Sequence, residues 1–279
     1  MGSVTPSPKR RPSVLTVAGS DSSGGAGIQA DLKTMEALGV FGQCAITALT
    51  AQNTCGVIGV EAASPEFVAL QIKAVFEDIR PHAVKVGMLG SPDIACAVAD
   101  ELVVQKAENV VLDPVMVATS GASLSGDATV RAMCERLVPL AAVLTPNLPE
   151  AEALAGFEVR TRHDMERAAH AIVGGGARAV LVKGGHRGTS DGQGRESACD
   201  CLLEADGVPV WFESPFVVTP NTHGTGCTLS SAIASFLARG MDLRQAVGAA
   251  KAYVSGALEH DLCLGRGNGP LNHAWMDAE

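Results

Sequence analysis

The sequence predicts an α/β fold in which helices flank a central, mostly parallel sheet on both faces. Short apolar runs rich in β-branched residues alternate along the chain with longer stretches of helical spacing, a pattern typical of parallel-sheet proteins. Hydrophobic residues make up 47% of the 279 residues and charged residues 18%, so the chain can bury a large core. The 31 glycines and few aromatic residues favour helices packed closely on the sheet.

The individual elements follow from local signals, such as Gly39 at the end of one helical pattern and Pro65 at the start of another. The predicted strands are short apolar runs at residues 14–18, 44–49, 57–61 (an edge strand), 83–86, 109–112, 141–144, 179–182, 198–204 and 208–212. The predicted helices lie at residues 28–38, 65–79, 92–106, 127–137, 150–155, 163–173, 225–238 and 243–260. The polar, glycine-rich residues 184–195 are expected to form a mobile loop.

The domain organisation is expected to be simple, because no linker or internal repeat interrupts this pattern. We predict one domain over residues 14–279, preceded by a disordered tail at residues 1–13, which has no apolar signal core. The net charge of −9 argues against a nucleic-acid partner, and no apolar run is long enough to cross a membrane. The eight cysteines show neither a CxxC pair nor zinc-site spacing, which indicates a reducing compartment and a cytoplasmic location.

Polar and glycine residues follow most of the predicted strands. Parallel sheets bind ligands at the carboxyl ends of their strands, so these segments should meet at one rim. They are residues 19–27, 50–53, 87–88, 113–114, 147–150 and 183–186.

Two glycine-bearing segments are candidates for an anion site. Residues 25–30 match G-x-G-x-x-A and leave a dinucleotide site open, but the loop at 19–25 is long for that fingerprint and no acid ends the second strand. Residues 221–228 (NTHGTGCT) run directly into an apolar helix, where backbone N–H groups and the helix dipole favour a phosphoryl group. Thr225 could instead be an ordinary N-cap. Cys227, at the same helix start, should have a lowered thiol pKa and could be a nucleophile, a weak base or a packing residue.

The remaining candidates each have a structural alternative. Asn147 and Glu150 fit a capping box, or could hold water bound to Mg²⁺, and Asp113 could be a turn residue or a second carboxylate at the rim. Lys183 could reach a phosphate or simply be solvated, and Gln52 could pair with the edge of a heterocycle. The histidines at positions 186 and 223 are expected to have binding or structural roles.

Seven segments in this order resemble the hydroxymethylpyrimidine/phosphomethylpyrimidine kinases of thiamine biosynthesis, in the ribokinase-like superfamily. The segments are AGSDSSGGAGIQADLKT, ITALTAQNTCGV, KVGML, DPVM, TPNLPEAEAL, KGGH and NTHGTGCTLSSAIA. The resemblance implies a ribokinase-like fold with a small edge-strand lid, a homodimer, and transfer of the ATP γ-phosphate to a hydroxymethylpyrimidine and then to its monophosphate. The family commonly carries a lysine where this chain has Thr119.

The resemblance also implies roles for individual residues. Those expected to line the substrate pocket are Gly19, Asp31, Gln52, Met88 and Val115. Those expected to form the catalytic anion hole are Gly224, Thr225, Gly226 and Cys227, the last at the position of the aspartate base of sugar kinases. ATP would be bound by Lys183, Asn147 and Thr222, and Mg²⁺ by Glu150 and Asp113 through water. A pyridoxal kinase, whose substrate also carries a hydroxymethyl group on a heteroaromatic ring, and a non-catalytic binding protein on the same scaffold remain as alternatives.

Overall fold

The structure is a computed structural model that describes residues 11–116, 126–185, 189–190 and 196–277. Its strands are β1 (Ser13–Ala18), β2 (Phe41–Ile46), β3 (Ala48–Asn53), β4 (Gly56–Ala62), β5 (Ala83–Val86), β6 (Val110–Leu112), β7 (Val143–Leu144), β8 (Ala179–Lys183), β9 (Thr189–Ser190), β10 (Glu196–Glu204) and β11 (Val210–Pro215). Its helices are α1 (Gly27–Ala37), α2 (Pro65–Asp78), α3 (Pro92–Val104), α4 (Asp127–Arg136), α5 (Leu148–Ala155), α6 (Arg162–Gly174), α7 (Thr225–Ala238) and α8 (Leu243–Glu259), with 3₁₀ turns at Val138–Leu140 and Trp275–Asp277.

The main sheet has the strand order β11-β10-β8-β7-β6-β5-β1-β2. Strands β2, β1, β5, β6, β7 and β8 pair in parallel, whereas β10 is antiparallel to both β8 and β11. One apolar layer joins the sheet to α2 through α6, and a second joins the opposite face to α1, α7 and α8. The predicted α/β architecture with helices on both faces is therefore confirmed.

Alternation along the parallel strands decides which side chains face α7. Ala83, Val111 and Leu181 belong to the layer under α1, α7 and α8, while Val84, Val86 and Val182 face the other layer. Side chains two residues apart in a strand share a face. Residues 85, 113 and 183 therefore lie on the α7 side, at or near the carboxyl ends of their strands.

The predicted strand at residues 44–49 is divided between β2 and β3, because the chain leaves the main sheet at Thr47. Thr47 donates its backbone N–H to the Ala18 carbonyl at 3.1 Å and its hydroxyl to the Met88 carbonyl at 2.7 Å. These bonds end β2, and β3 then pairs with β4 in a separate antiparallel hairpin. This hairpin corresponds to the small lid that the resemblance implied.

Two smaller boundaries also differ from the prediction. Strand β1 begins at Ser13, and the Arg11 guanidinium donates to the Gly39 carbonyl at 3.0 Å, so residues 11–13 belong to the folded domain. Strand β9 lies inside the predicted loop at 184–195 and pairs with β10. The rest of the predicted tail, the segment 191–195, and positions 119 and 186 lie outside the described residues. Within the described part of the chain, no helix combines the length and apolarity needed to span a bilayer.

Candidate active site

A cavity of about 770 Å³ opens at the carboxyl ends of the parallel strands. This volume lies in the range of ligand pockets, roughly 300–1,000 Å³. The predicted segments after β1, β6, β7 and β8 all line it, together with hairpin residues and the start of α7. The predicted site residues that line it are Gly19, Gln52, Met88, Asp113, Val115, Asn147, Glu150, Lys183, Thr222, Gly224, Thr225, Gly226 and Cys227. The structure therefore brings these segments together around one cavity, as predicted.

The start of α7 is shaped by glycines rather than by a side-chain cap. Gly224 is the N-cap residue, with φ of 86° in the left-handed region, and a Cβ at this position would lie 1.9 Å from the Gly25 carbonyl oxygen. Only glycine fits this close approach of the two loops. The Thr225 N–H donates to the Thr222 carbonyl at 3.2 Å, but the next N–H groups of the first turn have no intrahelical acceptor and can bind an anion in the cavity. The N-cap alternative for Thr225 is wrong, because Thr225 is the first helical residue.

Lys183, Asp113 and Glu150 form a charged cluster beside this helix start. The Lys183 ammonium donates to Asp113 Oδ1 at 3.0 Å, and a Cβ on Gly226 would lie 3.4 Å from Lys183 Nζ and 3.5 Å from Asp113 Oδ2. Burial alone would raise the pKa of Asp113, but the charges of Lys183 and Lys85 outweigh it and lower this pKa. Burial opposes the charged form of Lys183, yet Asp113 and Glu150 raise its pKa. Lys183 is therefore a cation and Asp113 a carboxylate at neutral pH.

Glu150 forms the predicted capping box and also borders the cavity. The capping box is present: the Asn147 side chain accepts from the Glu150 N–H at 2.9 Å, and the Glu150 side chain accepts from the Asn147 N–H at 2.8 Å. The same carboxylate borders the cavity and is 5% exposed. Burial and the charge of Asp113 raise the pKa of Glu150 to about 7, against the opposing charge of Lys183. The capping box with Asn147 therefore fixes the position of the titratable Glu150 carboxyl group at the rim of the cavity.

The predicted low thiol pKa of Cys227 is wrong. Cys227 lines the cavity at the helix start, and the Gly27 backbone N–H is directed at its sulfur. Burial is the dominant cause and raises the pKa of the thiol to about 11, although the Lys85 ammonium acts in the opposite direction. Cys227 is therefore a neutral thiol at pH 7, which argues against a thiolate nucleophile or a thiolate base.

Asp31 does not line the cavity, contrary to the prediction. It is 0% exposed, and its carboxylate accepts from Lys85 Nζ at 2.8 and 3.0 Å, from Thr16 Oγ1 at 2.6 Å and from Ser231 Oγ at 2.7 Å. Lys85, which we did not single out, borders the cavity instead. A lysine within the otherwise apolar run of β5 was the signal for this buried pair.

The first glycine loop folds around a carboxylate of its own. Asp21 accepts from the backbone N–H groups of Ser23, Gly25 and Ala26 at 2.8 to 3.1 Å, and from His223 Nε2 at 2.8 Å. N–H groups that are already bonded to Asp21 are not available for a pyrophosphate. The dinucleotide alternative for residues 25–30 is therefore not supported by this geometry.

Several cavity residues come from the last third of the chain and were not predicted. Lys251 of α8 donates to Asp200 at 2.6 Å, and Asp200 accepts from the Gly184 N–H at 3.0 Å. This pair fixes the residue that follows Lys183. Ser214, Ser255, Leu258 and Asn268 line the cavity nearby. Their spacing in the sequence gives no signal, because the fold alone brings them together.

Comparison with known proteins identifies the family. The model for phosphomethylpyrimidine kinase matches residues 21–272. The hydroxymethylpyrimidine/phosphomethylpyrimidine kinase of Haemophilus influenzae is 46% identical over 260 residues, which cover 93% of this chain and 96% of that protein. The thiamine biosynthesis bifunctional protein ThiED of Geobacter sulfurreducens is 48% identical over 274 residues, and the chain spans about half (53%) of its length.

Solved structures agree with this relationship. The phosphomethylpyrimidine kinase of Clostridium difficile has a TM-score of 0.77 and 42% identity, and the match covers 89% of this chain and 100% of that one. Bacillus subtilis pyridoxal kinase, in its ADP complex, has a TM-score of 0.86 and 35% identity, with 97% and 100% covered. The fold is the one these kinases share, as the resemblance implied. The chain belongs to the phosphomethylpyrimidine kinase family.

Proposed function

We propose that the protein transfers the γ-phosphate of ATP to the hydroxymethyl group of 4-amino-5-hydroxymethyl-2-methylpyrimidine, and then phosphorylates the monophosphate to the diphosphate. The observation that carries this proposal is the cavity in which Lys183, Asp113, Glu150 and the α7 start lie together. The relatives named above as hydroxymethylpyrimidine/phosphomethylpyrimidine kinases support the same chemistry.

Different residues that line the cavity have different proposed roles in binding and transfer. We propose that Gly19, Gln52, Met88 and Val115, which line the cavity, bind the flat heterocycle, and that the nucleotide lies against the cavity residues of β10, β11 and α8. The α7 start and Lys183 would stabilise the charge of the phosphoryl group during transfer. The bond from the γ-phosphorus to the bridging oxygen breaks, a bond to the hydroxymethyl oxygen forms, and ADP and the hydroxyl proton are released.

No strong base is required if the transition state is loose, as is usual for phosphoryl transfer. The neutral thiol of Cys227 fits this view, because it can donate a weak hydrogen bond but cannot accept the proton readily. Thr222 and Asn147 also line the cavity and are proposed to contact the nucleotide.

Mg²⁺ fits the donor set when it is held through water. In the described part of the chain, no three His, Cys, Asp or Glu side chains gather as a metal site. Asp113 Oδ1 already accepts from Thr145 and Lys183, but Asp113 Oδ2 and the two Glu150 oxygens each accept from one protein donor and keep a further lone pair for a metal-bound water. Magnesium commonly keeps several waters and uses one or two carboxylates plus substrate phosphates. When bound, it would neutralise phosphate charge.

A second candidate substrate is pyridoxal, because the structural similarity to Bacillus subtilis pyridoxal kinase is high. The test is an ATP-consumption assay with Mg²⁺ on hydroxymethylpyrimidine, its monophosphate and pyridoxal in parallel. Turnover of both pyrimidines is expected. Turnover of pyridoxal alone would assign the protein to vitamin B6 salvage, and no turnover of any of the three would refute the phosphate site and favour a non-catalytic binding protein.

We also propose a homodimer that forms through the β3–β4 hairpin. Three apolar side chains on it are more than half exposed: Leu49, Ile58 and Val60. Exposed apolar side chains on both strands of the hairpin suit burial against a second copy of the chain. Sedimentation of the protein and of Ile58→Lys tests this, with a monomer expected for the variant. A cytoplasmic location is proposed because all eight cysteines are free thiols.

A further inference from the structure

The junction of three cavity segments contains a hydrogen-bond network that determines how Gln52 can bind. His223 Nε2 lies 2.8 Å from Asp21 Oδ2 and 3.3 Å from Gln52 Nε2. On the other side of the amide, Gln52 Oε1 lies 3.3 Å from Thr50 Oγ1. His223 and Gln52 both border the cavity.

The position of the proton on His223 follows from Asp21. Asp21 Oδ1 accepts from the Ser23 N–H and hydroxyl, and Oδ2 accepts from the Gly25 and Ala26 N–H groups. A carboxylate surrounded in this way is an acceptor only, and these bonds and the one from His223 lower its pKa to about 2 although burial acts in the opposite direction. The His223 Nε2 at 2.8 Å must therefore carry a proton and donate it.

The orientation of the Gln52 amide follows in turn from its two neighbours. The single hydroxyl proton of Thr50 goes to the Ser20 carbonyl at 2.8 Å, so this hydroxyl can only accept from Gln52. If the amide nitrogen faced His223, two donors would meet, and the amide oxygen would face a hydroxyl without a proton to give. A 180° rotation of the amide removes this conflict: Nε2 then donates to Thr50, and Oε1 is a second, weaker acceptor at 3.3 Å for the N–H that His223 gives mainly to Asp21.

We propose that Asp21 and His223 are positioning residues that determine substrate specificity, because they hold the Gln52 amide with its oxygen toward His223 and so select a heterocycle that presents an amine beside a ring nitrogen. This inference rests on the proposed function. In the held orientation, Oε1 keeps a lone pair for an exocyclic amine and Nε2 keeps one N–H for the ring nitrogen. Pyridoxal carries an aldehyde in place of that amine, so it would bring two acceptors together.

Without the His223 N–H, only the contact with Thr50 at 3.3 Å would favour this orientation, so the amide could rotate more readily and accept either kind of edge. A site built to hydrogen-bond a substrate group discriminates strongly against an analogue that lacks the group. The discrimination should therefore depend on Asp21 and His223, although neither needs to touch the reacting atoms.

The test compares kcat/KM for hydroxymethylpyrimidine with that for the same compound lacking the 4-amino group. In the parent protein, loss of the amine should reduce kcat/KM by about 100-fold or more. In His223→Phe and Asp21→Asn the reduction should shrink to about 10-fold or less, mainly through a raised KM for the amine-bearing compound. Ser23→Ala removes a hydrogen bond to Asp21 Oδ1 without touching His223, so it should discriminate like the parent.

A spectroscopic readout makes the inference independent of how well the variants fold. ¹⁵N NMR of the parent protein should show the His223 proton on Nε2. A proton on Nδ1 alone, or variants that discriminate like the parent, would overturn the inference. Failure of the parent to phosphorylate the amine-bearing pyrimidine would instead refute the proposed function.

Discussion

Among the described residues, three buried lysine–aspartate pairs lie on the α7 side of the sheet, and two of them differ in what surrounds them. Lys85 and Asp31 have side chains that are 0% exposed; Lys85 borders the cavity, but Asp31 holds its ammonium and also bonds to Thr16 and Ser231. The Lys183 side chain is 12% exposed and faces the cavity between Asp113 and Glu150. The Lys85–Asp31 pair, here the sealed pair, ties β1, α1, β5 and α7 together, whereas we propose that the Lys183–Asp113 pair, here the open pair, can exchange a partner for a phosphate. Solvent access, and not residue type, therefore distinguishes the pair that we propose binds phosphate from the pair that stabilises the fold.

The sealed pair should have the largest effect on stability. Lys85→Met leaves the Asp31 charge buried without its cation, so we expect the free energy of unfolding to fall by about 3–5 kcal/mol. Urea denaturation measures this loss. The double variant Lys85→Met/Asp31→Leu should recover much of it, because both charges are removed together. A loss under about 1 kcal/mol in the single variant would show that this pair does not hold the fold.

The open pair should have the largest effect on turnover. Lys183→Gln keeps a donor toward Asp113 but removes the positive charge, so kcat should fall by about 100- to 1,000-fold. The matched control is Lys73→Gln, since Lys73 is exposed on α2 and pairs only loosely with Glu77 at 3.7 Å. Steady-state kinetics with ATP and hydroxymethylpyrimidine compares the two. Equal activity in both variants would contradict a phosphate-binding role for Lys183.

Gly226→Ala should reduce the space for the phosphoryl group without lowering the stability of the fold. The new methyl would lie 3.4 Å from Lys183 Nζ and reduce the room at the helix start, so kcat/KM for ATP should fall by about 10- to 100-fold. Gly226 is helical, and alanine favours a helix by up to about 1 kcal/mol, so the melting temperature should stay or rise. Unchanged kinetics would place the phosphate elsewhere in the cavity.

Glu150 should give the open cluster a pH dependence. Its pKa of about 7 predicts that kcat/KM rises with pH through 7 as the carboxylate ionises, and that Glu150→Gln flattens this rise. Because the pKa of Glu150 in the folded state exceeds the ordinary glutamate pKa of 4.5, the folded protein binds more protons than the unfolded chain between about pH 4.5 and 7. Its contribution to stability therefore falls as the pH rises through that window. Urea unfolding of the parent and of Glu150→Gln at pH 5 and pH 7.5 measures the difference, and an identical pH dependence would refute it.

Substitution of Cys227 should have the smallest effect on turnover. The reactivity of its thiol also shows how strongly the nearby lysine charges act on it. Since burial raises its thiol pKa to about 11, Cys227→Ser should keep kcat within about 10-fold of the parent. Iodoacetamide at pH 7.5 should alkylate the exposed Cys55 and Cys263 first, as peptide mass spectrometry can show. Faster alkylation of Cys227 would mean that the Lys85 charge outweighs burial.

The sequence predicted the sheet, the rim and most of the open cluster, because strand ends and glycine-rich helix starts are local patterns. The prediction that Asp31 lines the substrate pocket was wrong. The spacing of residues in α1 does not show that the Asp31 carboxylate bonds to Lys85, 54 residues further along the chain. The prediction also missed Lys251 and Asp200, which meet only through the antiparallel β10 and the packing of α8. The thiol pKa of Cys227 depended on burial, which helix position alone does not reveal.

The most direct test of the account is ³¹P NMR of the reaction of the protein with ATP, Mg²⁺ and hydroxymethylpyrimidine. We predict that a phosphomonoester signal coupled to methylene protons appears as ATP is consumed, and that it is then replaced by a diphosphate signal. Lys183→Gln should slow both steps, and Lys73→Gln should slow neither. Release of inorganic phosphate alone, without any phosphorylated pyrimidine, would contradict phosphoryl transfer at this site.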